Sequence, residues 1–172
     1  AQLAVHSALT GHLVFSTLHT NDAIGVIPRL IDMGIDPFLI PSTLVIAMGQ
    51  RLVRTLCTES KKEIPVEGAL KDLLAKEIDA MPAAIKAAIS MPQAVHEALP
   101  SGTCPKGTRG RMAIFEMLAM TRELEQIVLK GPSESLIADE AKRQNMLTMR
   151  QDGILKVLKG TIGLEELFEV VV

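Results

Sequence analysis

The sequence predicts an α/β fold. Two short apolar, β-leaning runs, residues 12–18 (HLVFSTL) and the first part of 112–120 (MAIFEMLAM), read as buried strands. Helical periodicities with clear cap residues lie between and after them. The apolar mass is Leu, Ile, Val, Ala and Met at 48% hydrophobic content, a mixture that favours packed helices around a few buried strands.

Taken in order, residues 1–10 read as the end of a helix, with Gly11 suited to the position just past it. Because the chain opens in mid-helix, it is expected to be a piece of a longer protein. The run 12–18 follows as a strand, and Thr20, Asn21 and Asp22 offer helix caps. Residues 23–33 then run AIGVIPRLIDM up to Gly34. Pro28 inside that run would cost about 3 kcal/mol in a helix interior, which predicts a kink or a late helix start. Asp36-Pro37 is a restart signal, a cap followed by Pro at the first helical position. The following helix is expected to reach Cys57, because Leu44, Val45, Met48, Leu52 and Leu56 recur at helical spacing, with Arg51 and Arg54 on another face.

Residues 58–103 differ in character. Lys and Glu cluster at 59–63, and Ala-rich runs at 67–78, 82–89 and 92–98 are punctuated by Pro65, Pro82, Pro92 and Pro100. An inserted helical module is expected here. A basic turn (GTRGR, 107–111) leads into the second strand, which holds Glu116. Four helices are expected to complete the chain, capped by Thr121, Ser133 and Thr148 for the first three, with the last over roughly 164–171. The organisation so predicted has three parts: 1–57, 58–106 and 107–172.

Charge and composition exclude several functions. A net charge of −2 argues against non-specific nucleic-acid binding, and 2% aromatic content without Trp or Tyr removes the platforms on which single-stranded bases stack. No run approaches 18 uninterrupted apolar residues, and the first residues lack the basic start of a signal peptide. Two cysteines, Cys57 and Cys104, fit a reducing compartment rather than a disulfide framework.

The stretch 11–22, GHLVFSTLHTND, places hydroxyl residues and a His at the end of an expected strand and before a helix start. In open α/β sheets, ligand crevices form at that edge. The residues alone leave two readings open: a phosphate-facing edge, or a core strand whose polar side chains satisfy neighbouring backbone.

GHLVFSTLHTNDA resembles the His box of the ATPases that drive type II secretion and type IV pilus assembly. The resemblance continues through PRLIDMGIDPFLIPSTLVIAMGQRLVRTLC, RGRMAIFEML and MRQDGILKVLKGTIGLEELFEVV, covering roughly 1–57 and 107–172. It implies the C-terminal half of a RecA-like P-loop ATPase domain with a helical insertion and a C-terminal helical subdomain. It further implies a hexameric ring of identical subunits, ATP and Mg²⁺ as cofactors of the longer protein, and inner-membrane platform proteins as partners. The implied location is cytoplasmic, at the inner face of the cytoplasmic membrane.

No G-x-x-x-x-G-K-[ST] loop occurs in these residues, so the chain alone is expected to bind no nucleotide and to be inactive. Carried over position by position, His12 and His19 fall on the two His-box histidines, with His19 the stronger catalytic candidate and His12 open to a structural role. Ser16, Thr17 and Asn21 are the expected nucleotide-proximal residues, accompanied by Asp22. His6 and His96 match no motif. Arg51 and Arg54 are expected in structural or interface roles, and Arg111 as an anchor of the loop before the second strand.

Many members of the family carry two C-x-x-C pairs that bind structural zinc around this insertion. This chain keeps one Cys of each pair, with Ser60 three residues after Cys57. Two thiolates do not close a tetrahedral site, so no metal is expected. The alternatives are a non-catalytic helical interaction module and a pilus-retraction type of motor. The cysteine-flanked insertion argues against the latter.

Overall fold

A computed structural model describes residues 1–171. The chain divides into two compact units, one built from residues 1–49 and 116–146, the other from 50–115 and 147–172.

The first unit holds α1 (Gln2–Leu9), α2 (Val26–Asp32), a 3₁₀ turn (Pro37–Leu39) and the short α3 (Ile40–Thr43). It also holds α6 (Arg122–Lys130) and α7 (Glu134–Arg143). Its core is Ala23, Ile27, Ile40, Ala47, Leu118, Leu124, Val128 and Ile137 with their neighbours. Pro28 falls in the first turn of α2, where no intrahelical N–H is needed, so the helix starts late and is not broken. Asp36 accepts the Phe38 N–H at 3.0 Å with Pro37 behind it, as the cap signal required.

The second unit contains β2 (Lys61–Pro65) and β3 (Ala94–Ala98), which pair antiparallel with Ile64 opposite Val95. With them are α4 (Gly68–Asp79), the short α5 (Ala83–Lys86), α8 (Met149–Leu158) and α9 (Leu164–Val170). Val53, Leu74, Val95, Ile114, Ile154, Val157, Ile162 and Leu167 form its core. The long strands β1 (Ile46–Leu56) and β4 (Thr108–Ala119) pair with each other. Their ladder ends where the Met120 N–H donates to the Val45 carbonyl and the Cys57 N–H to the Gly107 carbonyl, so the two strands run in opposite directions.

Three expectations are corrected. Residues 46–56 form β1, not the second part of a helix. Leu44, Met48, Leu52 and Leu56 are four apart, and four is close to the helical repeat while also a whole multiple of the strand period of two. In β1, Ala47 and Val53 turn inward, while Met48 and Leu52 are exposed. Residues 94–98 are likewise strand rather than helix, so the 58–106 insertion is mixed rather than helical.

Residues 12–18 carry no regular structure, although a buried strand was expected. A strand buried on both faces takes its hydrogen bonds and its dry surroundings from neighbouring strands. Among the described residues none pairs with this segment, and Leu13 and Phe15 remain 80% and 89% exposed.

Candidate functional site

The His-box segment is an open loop between α1 and α2. His12 is exposed, and its Nδ1 lies 3.1 Å from the Thr10 hydroxyl and 3.3 Å from the Ser7 carbonyl, which ties it to the end of α1. His19, Ser16, Thr17 and Asn21 are all exposed. No hydrogen bond among the described residues joins these four side chains to one another.

The loop's far end is held firmly. The Asp22 carboxylate accepts the Gly25 N–H at 2.8 Å, and the next residue, Ala23, is fully buried. The Ala23 N–H donates to Oε1 of Glu116 at 2.6 Å. Glu116 is itself buried on β4, and its side chain crosses Gly49 of β1. A Cβ at residue 49 would lie 2.8 Å from both Cγ and Oε1 of Glu116, so only glycine leaves room for this crossing. His19 therefore precedes an anchor made by a buried carboxylate and a glycine. The one sequence signal for Glu116 was a charge inside an otherwise apolar strand run. Its partner Gly49 gave none, since strand pairing brings them together.

Asp152 is a second anchor that motif reading left without a role. Its carboxylate accepts the Phe115 N–H at 2.8 Å and pairs with Lys156, whose ammonium also donates to the Ala113 carbonyl at 3.0 Å. Arg54 and Glu166 meet on the surface of the same unit, the Arg54 N–H donating to the Glu166 carboxylate at 3.0 Å. Arg51 is exposed, as is Arg111 at the base of β4.

The donors on the loop have chemistry suited to phosphate oxygens: two hydroxyls, an imidazole and an amide. They lie along an exposed loop and do not converge as a cradle, so the geometry of this chain does not fit an enclosed nucleotide site by itself. Among the described residues no three His, Cys, Asp or Glu side chains converge to hold a metal ion. Gly107, three residues after Cys104, has φ +66°, and a Cβ there would lie 2.6 Å from the Leu99 amide nitrogen. No side chain fits at that position.

The chain's fold resembles that of the Legionella pneumophila ATPase DotB with a TM-score of 0.58, at 19% identity over 98% of this chain and 34% of that one. That likeness concerns the fold alone. Residues 1–169 match the Type II/IV secretion system protein family, and the chain belongs to it. It is 39% identical to the Type II secretion system protein E of Pseudomonas aeruginosa, over 99% of this chain and 32% of that protein. It is 40% identical to the Type IV pilus assembly ATPase PilB of Myxococcus xanthus, over 96% of this chain and 28% of that protein. The Type II secretion system ATPase E of Vibrio cholerae is 38% identical over 99% of this chain. The chain thus spans about a third of the length of these relatives.

Proposed function

We propose that this chain is the C-terminal portion of a RecA-like P-loop motor domain in a hexameric ATPase that drives protein export or pilus extension. The observation that carries this reading is the match of nearly the whole chain to relatives named as secretion and pilus-assembly ATPases. Their similar identities to this chain do not favour export over pilus assembly.

In this reading the longer protein binds ATP and Mg²⁺, and identical neighbouring subunits and an inner-membrane platform are its partners. It works in the cytoplasm at the inner face of that membrane, without nucleic acid. No described helix is long and apolar enough to cross a membrane. His19 is the residue that reports on the terminal phosphate, helped by Ser16, Thr17 and Asn21, and His12 secures the start of the loop. The exposure of His19, four residues before the Ala23 that Glu116 anchors, supports the assignment: a group that must meet a ligand cannot be buried among aliphatic side chains.

The chain alone, which has no G-x-x-x-x-G-K-[ST] loop, turns over no ATP. Phosphate release by the purified chain with ATP and Mg²⁺ should not exceed the buffer rate. In a longer polypeptide that also carries that loop, His19→Ala should lower turnover while leaving nucleotide affinity and circular dichroism unchanged. Turnover by the isolated chain, or full activity of the His19→Ala protein, would sink the respective half of the proposal.

A further inference from the structure

His19 is exposed, yet the residues on either side of it are held. Leu18 packs against the core of the first unit. Thr20 lies against Gly25: a Cβ at residue 25 would stand 3.8 Å from the Thr20 Cβ and 3.3 Å from Oδ1 of Asp22. Asp22 closes this segment by accepting the Gly25 N–H at 2.8 Å. Residues 20–25 therefore form one small turn, and a distant side chain bolts it down. Glu116 lies 93 residues from Ala23 along the chain and accepts the Ala23 N–H at 2.6 Å. Both residues are buried, so water does not compete for the bond, and its loss would leave the Ala23 N–H unsatisfied. The carboxylate reaches Ala23 from β4 only by crossing Gly49 of β1. All of these residues belong to the first unit.

We infer that Glu116 is a positioning residue for His19: through the Ala23 N–H it fixes the turn that sets where the imidazole stands. The inference rests on the reading that His19 meets the terminal phosphate in the longer protein. The Glu116 carboxylate is buried and bonded to the backbone of the loop, so it acts on the chemistry through that loop and not on the ligand. An exposed imidazole on an unrestrained loop would have to be ordered at each turnover. A loop held on both flanks is ordered beforehand, which is how remote groups contribute to rate. Leu18 supplies one flank by apolar packing, and Glu116 supplies the other by a hydrogen bond.

The test uses the longer polypeptide that carries the G-x-x-x-x-G-K-[ST] loop. It compares turnover number and Michaelis constant for ATP in the parent, His19→Ala, Glu116→Ala and the double variant. Glu116→Ala should lower the turnover number by no more than His19→Ala does, roughly ten- to a hundredfold, with the Michaelis constant unchanged. In the His19→Ala background the same change should cost nothing further, because the group it positions is gone. Glu116→Gln, whose amide still offers an oxygen to the Ala23 N–H, should recover most of the loss. Should Glu116→Ala fail to fold, Gly49→Ala takes its place: it keeps both bonding groups, displaces the carboxylate, and should lower turnover only where His19 is present. Losses that add fully in the double variant, no loss in Glu116→Ala, or no recovery in Glu116→Gln would each overturn the inference and leave the reading of His19 standing. Parental turnover in His19→Ala would overturn that reading, and this inference with it.

Discussion

Replacing Glu140 by Gln removes one negative charge from a buried position in the first unit, and its consequence can be worked through. Glu140 on α7 is buried, and its carboxylate accepts from Arg143 Nε at 2.6 Å, from the Thr121 hydroxyl at 2.7 Å and from Gln144 Nε2 at 3.0 Å. Thr121 is also the cap of α6, accepting the Leu124 N–H at 3.2 Å, so this one carboxylate ties the start of α6 to the end of α7. The hydrogen bond from Arg143, opposed in part by burial, lowers the Glu140 pKa from 4.5 to about 2.

At ~1.4 kcal/mol per tenfold change in proton affinity, the full shift corresponds to ~3 kcal/mol. Arg143 is half exposed, so solvent screens the pair and about 1 to 2 kcal/mol is the expected loss in Glu140→Gln at neutral pH. The sign follows from the lowered pKa. The carboxylate's contribution is complete above 4.5, its unfolded value, and fades as the pH falls towards about 2. The gap between parent and variant should narrow over that window.

Urea unfolding followed by far-UV circular dichroism is the suitable assay, since the chain has no Trp or Tyr for fluorescence. Hydrogen exchange of the α6 and α7 amides confines the readout to the first unit. A stability difference that stays constant from neutral pH to below 4.5, or none at neutral pH, would refute the reasoning.

Three further outcomes follow from the packing. Gly49→Ala should cost about 1 to 3 kcal/mol by overpacking against Glu116, and should speed hydrogen exchange at the Ala23 amide; unchanged exchange there would contradict the anchor described for the His-box loop. Gly153→Ala on α8 should destabilise despite a helix-propensity gain of up to ~1 kcal/mol, because the new methyl overlaps the fully buried Leu167 side chain; a rise in melting temperature would contradict this. Thr148→Ala removes a capping box in which Thr148 and Gln151 satisfy each other's backbone N–H groups, and should lower stability by ~1 kcal/mol in urea unfolding.

The features legible in the sequence are those decided within a few residues. Thr121, Ser133 and Thr148 each cap the helix they were expected to cap, and Asp36 caps a 3₁₀ turn where a helix to Cys57 was expected, because a cap needs only a side-chain oxygen and the backbone N–H groups two or three residues on. Family membership was legible for a related reason: several separated motifs in the right order need no knowledge of contacts. Residues 46–56 were not legible, since a spacing of four satisfies helix and strand alike, and pairing with β4 settles the choice. Nor was the irregular state of residues 12–18, where strand character depends on partners elsewhere in space. The anchor below His19 joins Ala23, Gly49 and Glu116. These residues lie far apart in the chain, and it is strand pairing and burial, acting between distant segments, that made them neighbours.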